Sequence, residues 1–289
     1  MHIAALYRYP VKSLGGQSVA QAAVEPLGLA GDRRWMIVDP AGRFLTRRQI
    51  PHLARIAAYP HPLGVELRRA GAAPLVVRFP DRAAPARPVL IWSDRVEAQP
   101  GGDEADAWLS EAVGRPLHLV YQPDHCPRPV SPKYAEADDR VSFADGFPLL
   151  VTTVESLAAL NAALGEPVVM ERFRPNIVLS GASAPWAEDE WRRLRIGTLT
   201  LRIAKPCVRC VVTTQDPATG DPVGDGREPL RTLRALGRHT KSGIVFGQNA
   251  IPDGAGTLAV GDAVTIIETG PSNVVPRPPR VPAPSPVRD

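Results

Sequence analysis

The chain has 289 residues, of which 44% are hydrophobic, and this length and composition predict a globular protein with two domains. Its net charge of +4 comes from 34 basic and 30 acidic residues mixed along the chain, which argues against a nucleic-acid scaffold. Three cysteines are too few for a disulfide framework, and the N-terminal residues Met1 to Tyr7 enter a predicted strand without an apolar leader or membrane span. We therefore expect a cytoplasmic monomer that binds neither nucleic acid nor membrane.

The first part of the chain has the pattern of β-structure. Arg34–Asp39 and Arg43–Arg47 flank the turn signal Pro40-Ala-Gly42, which is typical of a hairpin. Val65–Arg68 and Leu75–Phe79 flank a glycine-containing loop in the same way. These patterns predict a β-rich first domain over residues 1–121.

A helix is predicted from Glu104 to Val113, because apolar residues recur there at helical spacing and Asp103 is suited to cap its start. Residues 122–140 are polar and rich in proline, and include the isolated Cys126. This composition favours a surface loop, which we place at the junction between the two domains.

The second domain is predicted over residues 122–268. Phe147–Thr152 has the pattern of a buried strand, and Thr152 with Glu155 forms a capping box for a helix through Leu164 that stops at Gly165. Further predicted elements are strands at Ile177–Leu179, Leu199–Ile203 and Ala263–Ile267 and a short helix at Pro229–Leu236. The fold class is therefore mainly β with a few helices (α+β).

The last segment, residues 269–289, is predicted to be a disordered tail. From Gly270 onward it has seven prolines in twenty residues. Such a sequence favours polyproline conformation and does not form a packed core.

Two of the three cysteines lie close together, in Cys207-Val-Arg-Cys210. A structural zinc site needs four nitrogen or sulfur ligands, and no second pair exists at ligand spacing. A thioredoxin-like pair would lie where a strand turns into a helix, whereas Val211–Thr214 are β-branched and predict a continuing strand. What remains is Cys210 on a β-scaffold beside Arg209, whose charge favours the thiolate that transition metals bind.

Short blocks spread along the chain resemble one known family. They are Tyr9-Pro-Val-Lys-Ser13, Gly31-Asp-Arg-Arg-Trp35, Phe44-Leu-Thr-Arg-Arg-Gln49, Arg172-Phe-Arg-Pro-Asn-Ile177, Cys207-Val-Arg-Cys210, Phe246-Gly-Gln248 and Gly261-Asp262. In these blocks the chain resembles the MOSC family, named for the C-terminal domain of molybdenum-cofactor sulfurase, in its two-part form. The resemblance covers residues 1–268 and is nearest to mitochondrial amidoxime-reducing components and their bacterial counterparts. It implies an N-terminal MOSC β-barrel domain followed by a MOSC β-barrel domain.

The resemblance also implies a cofactor and a reaction. The cofactor is molybdenum-molybdopterin with Cys210 as the metal ligand, and the substrates are N-oxygenated compounds such as amidoximes, hydroxylamines and N-hydroxylated bases. No cysteine follows Cys210, so the chain has no ligand set for an iron–sulfur cluster, and a separate ferredoxin, flavin reductase or cytochrome is expected to supply electrons. One alternative is a carrier of sulfur or cofactor with a persulfide on Cys210, and another is a degenerate fold that acts through protein contacts. Binding of pyridoxal phosphate stays open.

A pterin cofactor with a phosphate needs fixed cations and hydrogen-bonding groups, for which arginine is well suited. The cofactor-binding residues implied by the resemblance are Lys12, Ser13, Arg33, Gly146, Phe147, Arg174, Asn176, Val208, Arg209 and Asn249. The family pattern indicates that Arg33, rather than its neighbour Arg34, contacts the cofactor. The proline after Arg174 predicts an extended backbone at that arginine, with Asn176 on the same strand face.

The remaining candidates have two interpretations each. Asp145 is either a catalytic proton relay close to the metal, as the resemblance implies, or a turn-forming aspartate. Cys207 is interpreted as a buried, inert residue rather than a second ligand. The segment Gly247–Asn249 corresponds to a cofactor-contacting loop, but the relatives have a tyrosine at the position of Asn249, which leaves that contact open. On a regular strand Arg209 would face away from Cys210, whereas a bulge or turn would change its direction.

Overall fold

The computed structural model describes residues 1–274. Most of the predicted tail, residues 275–289, lies outside the described residues. The part of it that is described packs against the protein, since Val274 is buried and the Asn273 amide donates to Gln248 Oε1 at 2.9 Å. The packed chain therefore extends to residue 274, beyond the predicted boundary at residue 269.

The protein is mainly β, as predicted. The strands are β1 (His2–Arg8), β2 (Gln17–Val19), β3 (Gln21–Glu25), β4 (Gly28–Leu29), β5 (Trp35–Val38), β6 (Ala57–His61), β7 (Gly64–Arg68), β8 (Leu75–Arg78), β9 (Arg87–Ile91), β10 (Asp94–Pro100), β11 (His118–Tyr121), β12 (Arg128–Pro129), β13 (Arg140–Val141), β14 (Leu149–Thr153), β15 (Ile177–Ser180), β16 (Trp191–Ile196), β17 (Leu199–Val208), β18 (His239–Thr240), β19 (Gly243–Asp253), β20 (Gly256–Ala259) and β21 (Val264–Thr269). The α-helices are α1 (Asp103–Val113), α2 (Val154–Ala162) and α3 (Leu230–Ala235). Within residues 1–274 no helix is long and apolar enough to cross a membrane.

The largest sheet has nine strands in the order β2-β1-β15-β14-β19-β17-β16-β21, with β18 paired to β19. Its ends approach each other, because the Val264 amide donates to Met1 O at 2.9 Å and the Ile3 amide to Asp262 O at 3.0 Å. Alternate residues of its strands, such as Leu199 and Leu201 of β17, point into a shared apolar core. The sheet therefore curls around this core.

Strands from both halves of the sequence pair with each other. β1 lies antiparallel to β15, and β3 lies antiparallel to β20. The boundary near residue 121 stays a prediction, and the first strands of the chain pair across it.

The seven strands from β5 to β11 form two further sheets, β5-β11-β10-β9 and β6-β7-β8. The predicted pairing of Val65–Arg68 with Leu75–Phe79 is confirmed by β7 and β8. The other predicted hairpin is only partly correct. Phe44 makes a single bridge to Val38, and the chain then turns as the amides of Gln49 and Ile50 donate to Thr46 O.

The helices agree with prediction in position and differ in their caps. α1 starts at Asp103 itself, after Gly102 with a φ of 101°. α2 starts one residue later than predicted, because Thr153 accepts from the Ser156 amide at 3.1 Å while Thr152 is buried in β14. The Glu155 carboxylate accepts from the Gly181 amide, so the predicted capping box is wrong. α2 also ends earlier, at Ala162, and α3 begins after Pro229.

The predicted strand after Cys210 is wrong. β17 ends at Val208, and Val211–Thr214 form a short 3₁₀ helix with Cys210 at its N-cap. The Thr213 hydroxyl donates to Cys210 O at 2.9 Å and the Thr214 hydroxyl to Val211 O at 2.8 Å, so both threonines stabilise the turn locally. Cys210 thus lies where a strand turns into a helix, which removes the argument that excluded a redox pair.

Candidate functional site

A cavity lies where the nine-stranded sheet meets the sheets formed between β4 and β11, and it collects the predicted site residues from distant parts of the sequence. Those in its wall are Lys12, Ser13, Arg33, Asp145, Gly146, Phe147, Arg174, Asn176, Arg209, Cys210 and Asn249. Val208 is the predicted residue that does not line it, and its side chain is partly exposed on the surface. The wall also contains Thr46, Arg47, Arg48 and Cys207.

Lys12 and Asp145 form an ion pair in the wall, with 2.5 Å between Nζ and Oδ1. Lys12 is buried and also donates to Phe143 O at 2.9 Å. Burial lowers the pKa of Lys12, while Asp145 acts in the opposite direction.

Asp145 is the exposed member of this pair, and its side chain opens to the cavity. Desolvation acts to raise the pKa of Asp145. The charges of Lys12, Arg48 and Arg33 outweigh this effect and hold that pKa well below its usual range. This environment favours the ionised carboxylate of Asp145, and the role of Asp145 as a proton relay stays a prediction. The proton in this pair is carried by the Lys12 ammonium.

Asp145→Asn is expected to destabilise the protein by about 1–2 kcal/mol at pH 7, because it leaves the buried Lys12 ammonium without its partner. The pKa of Lys12 in the folded variant then lies further below its unfolded value of about 10.4. At a pH between the folded and the unfolded pKa of Lys12, the unfolded variant binds more protons than the folded variant. The free energy of unfolding of the variant therefore rises with pH, and its stability deficit relative to the wild type shrinks. Urea unfolding of both proteins at pH 7 and pH 10 measures this. An equal deficit at both pH values would contradict the assignment.

Arg33 and Arg174 pack against the same buried tyrosine. Their guanidinium carbons lie 4.4 Å and 4.2 Å from the centre of the Tyr9 ring. Arg33 Nη1 also donates to Asp32 at 2.6 Å and to Asn176 Oδ1 at 3.1 Å. These contacts fix the direction of both arginines.

Asn176 is fully enclosed and belongs to the scaffold as much as to the wall. Its Oδ1 accepts from the Leu150 amide at 3.2 Å in addition to Arg33, and its Nδ2 donates to Tyr7 O at 3.3 Å. It precedes β15, so Arg174 and Asn176 do not share a strand face as predicted. Asn176 instead connects β1, β14 and Arg33.

The backbone is strained at several wall residues. Ser13, Arg33 and Arg174 have φ values of 71°, 48° and 53°, in the left-handed region that glycine favours. The prediction of an extended Arg174 is wrong, because this residue ends the 3₁₀ helix Met170–Phe173 and its amide donates to Glu171 O at 3.1 Å. Each such residue costs about 1–3 kcal/mol, and strain of this kind concentrates at functional sites.

The wall has an excess of buried positive charge. Burial lowers the pKa of Arg47 to about 10, and burial together with the charges of Arg47 and Arg33 lowers the pKa of Arg174 to about 9. Among the described residues of the wall, Arg47 Nη2 and Arg209 Nε are buried and have no hydrogen-bond partner. Guanidinium groups stay charged at neutral pH, so the cavity has donors and charge to spare for a phosphate or a polar pterin edge.

Arg47 and Arg48 were missed as site residues, although Thr46-Arg-Arg48 lies within one of the family blocks. Arg47 is buried and its Nε donates to Ser13 O at 2.8 Å, which places it beneath a predicted wall residue. Spacing gives no sign of this contact, since the two residues come from separate loops. The family block was the signal that could have identified them.

The two neighbouring thiols have different surroundings. Arg209 donates from Nη1 to Cys207 Sγ at 2.8 Å and from Nη2 to Phe173 O at 2.6 Å. Cys207 is half-buried and contacts this cation, so the prediction that it is buried is wrong, while its inertness stays a prediction. Cys210 is a half-buried free thiol in the cavity wall.

The segment Gly247–Asn249 lies within β19 and is not a loop, contrary to expectation. A side chain at Gly247, where φ is 75°, would come within 2.8 Å of Val151 O. This glycine lets β19 approach β14 closely and brings Asn249 into the cavity wall. The preceding Phe246 stacks on Phe173 with 3.9 Å between ring centres, next to Arg174.

The residues present fit a molybdenum–pterin cofactor. A free thiol lies in the same wall as unpaired guanidinium donors, which suits a group with a soft metal and an anionic tail. Within residues 1–274 no cluster of three or more histidine, cysteine or carboxylate side chains is placed to hold a metal ion.

Comparison with known proteins assigns both parts of the chain to known domain families. Residues 1–116 match the MOSC N-terminal beta barrel domain, and residues 138–265 match the MOSC domain. The chain thus belongs to the MOSC-domain family in its two-part form.

The mitochondrial amidoxime-reducing components are similar in sequence to this chain over most of their length. The chain is 32% identical to mitochondrial amidoxime-reducing component 1 of Mus musculus over 282 residues, covering 92% of this chain and 82% of that protein. It is also 32% identical to component 1 of Homo sapiens, with the same coverage. Molybdenum cofactor sulfurase of Oryza sativa subsp. japonica is 31% identical, covering 86% of this chain and 32% of that protein. These relatives support neither pyridoxal phosphate binding nor a cytoplasmic location.

Proposed function

We propose that this protein binds molybdenum-molybdopterin in the cavity and reduces N-oxygenated compounds such as amidoximes, hydroxylamines and N-hydroxylated bases. The observation that carries the proposal is that one cavity wall contains both a free thiol, Cys210, and buried guanidinium donors without a hydrogen-bond partner. The names of two relatives, amidoxime-reducing component and molybdenum cofactor sulfurase, support the substrate class and the cofactor.

Different residues of the chain would bind the metal, bind the anionic tail of the cofactor and transfer protons. The Cys210 thiolate is the metal ligand, and Arg33, Arg47 and Arg174 bind the anionic tail. When bound, the molybdenum centre supplies the two-electron change that the reaction needs. Cleavage of an N–OH bond consumes two electrons and two protons and releases water. The Lys12 ammonium holds a proton at Nζ beside the Asp145 carboxylate, and this pair can deliver a proton and take up another from solvent.

The electrons are expected to come from a separate ferredoxin, flavin reductase or cytochrome. Only Cys207 and Cys210 lie near each other in the sequence, so these residues do not form an iron–sulfur ligand set. Purified holoprotein with NADH alone should not reduce an amidoxime, whereas addition of a reductase and carrier, or of reduced viologen, should support turnover. Consumption of the amidoxime with NADH alone would contradict the need for a donor.

A second candidate is a carrier of sulfur, with a persulfide on Cys210. The similarity to molybdenum cofactor sulfurase favours it, as does the cation at Cys207, which can stabilise an anionic sulfur nearby. Metal analysis and mass spectrometry of the purified protein separate the two. A reductase contains molybdenum in near-equal amounts to protein, and a carrier has extra sulfur on Cys210 without the metal.

A further inference from the structure

A tryptophan stands where the backbone favours glycine. Strands β9 and β10 pair Ile91 with Asp94, so their turn consists of Trp92 and Ser93. Trp92 has a φ of 56°, and glycine is preferred at the first position of a two-residue turn with this conformation. The left-handed backbone is unfavourable for a bulky residue, because its Cβ comes too close to the following carbonyl oxygen. A residue that keeps this strain has a reason to be there other than the turn.

The side chain of Trp92 contacts two residues of the cavity wall, Lys12 and Arg48, although Trp92 and Phe44 are not wall residues themselves. Trp92 is 42% exposed, and its ring packs against the Phe44 ring with 4.9 Å between ring centres. The Arg48 guanidinium lies 4.3 Å from the Trp92 ring centre, and Lys12 Nζ lies 5.8 Å from the centres of both rings. Arg48 and Lys12 are wall residues of the cavity. The two rings therefore form an aromatic shelf, Phe44 and Trp92, directly beside the Lys12–Asp145 pair.

The shelf is held in a fixed position relative to Asp145. Asp94, at the end of the turn, accepts from Arg128 Nε at 2.8 Å. The same buried arginine donates to Ala144 O at 2.7 Å and to Asp145 O at 3.3 Å. One guanidinium thus joins the hairpin that carries Trp92 to the segment that carries Asp145.

We propose that the aromatic shelf binds the flat, unsaturated part of the substrate while its N–O group enters the cavity at Lys12 and Asp145. A flat ring can stack on an exposed indole, whereas a small aliphatic group has no such face. The shelf therefore selects aromatic amidoximes and N-hydroxylated ring systems over aliphatic analogues. This inference rests on the proposed function and adds the residues that determine specificity.

The test uses Trp92→Gly, because glycine suits the turn and removes only the ring. Molybdenum content is expected to stay at the wild-type level, and the melting temperature should be unchanged or higher. The KM for benzamidoxime should rise by about tenfold or more, while the KM for acetamidoxime, which has a methyl group in place of the ring, should not change. Trp92→Phe keeps an aromatic face, so its KM for benzamidoxime should rise less than that of Trp92→Gly.

Binding is measured separately from turnover. Calorimetry with benzamidine and acetamidine, the reduced forms of the two amidoximes, should show a weaker affinity of Trp92→Gly for benzamidine alone. If the wild type reduces neither amidoxime but Trp92→Gly still loses benzamidine affinity, the proposed function fails and the shelf stands. Equal changes for the aromatic and aliphatic compounds would overturn the shelf. So would unchanged benzamidine binding with a raised KM for the electron-donor protein, which would make Trp92 a protein-docking residue.

Discussion

Cys210→Ser is expected to lower the molybdenum content of the purified protein by more than about tenfold, because a hydroxyl is a harder and far less acidic ligand than a thiol. Cys207→Ser should keep the metal. The proteins are to be produced in a host that makes the cofactor, and molybdenum is measured by elemental analysis against protein concentration.

Both variants should fold, which makes them a matched pair. At Cys210 the backbone oxygen, and not the thiol, accepts the bonds that start the 3₁₀ helix, from the Thr213 amide at 3.1 Å and its hydroxyl at 2.9 Å. A serine at position 207 still offers an oxygen to the Arg209 guanidinium. Equal molybdenum in the two variants would show that the metal is not bound through Cys210.

Arg174→Gly is expected to weaken cofactor retention by about tenfold to a hundredfold, the effect of losing one or two charge-assisted hydrogen bonds. Glycine fits the φ of 53° at this position, and its introduction removes the repulsion from Arg47 and Arg33. These gains offset the lost bond to Leu14 O and the lost contact with the Tyr9 ring, so the melting temperature should change little. Bound pterin is measured by its fluorescence after release and oxidation.

The control for Arg174→Gly is Arg195→Ala, which removes an exposed arginine of β16 that is not a wall residue of the cavity. It should retain the cofactor fully. Aggregation of Arg174→Gly, with a loss of stability in cofactor-free protein as well, would instead make Arg174 a structural residue.

The sequence predicts strands and helices well where one periodicity acts alone. Leu199, Leu201 and Ile203 of β17 alternate with polar residues, and the structure places all three in the core. The start of α2 was misplaced because both Thr152 and Thr153 can cap a helix, and only the pairing of β14 decides between them. Proline after Arg174 favours an extended residue locally, but the end of a 3₁₀ helix overrides that preference.

The cavity depends on contacts that local patterns do not contain. Residues of the wall come from separate loops, and the family resemblance, rather than spacing, brought most of them together. Arg47 was missed because its position follows from a bond to Ser13 O. The direction of Arg209 was open because it depends on whether the strand continues past Val208, and the Thr213 and Thr214 hydroxyls end it there.

The pairing of β1 with β15, and the bond from Val264 to Met1, have a consequence for biosynthesis. On one side β1, the strand that leads into Lys12, pairs with the nearby β2, but its partner on the other side, β15, is made more than half a chain later. Because such distant contacts form slowly, the edge of β1 that faces β15 stays unpaired during synthesis until β15 has been made. We therefore expect the cofactor to be inserted after translation, into a chain that has already closed its sheet.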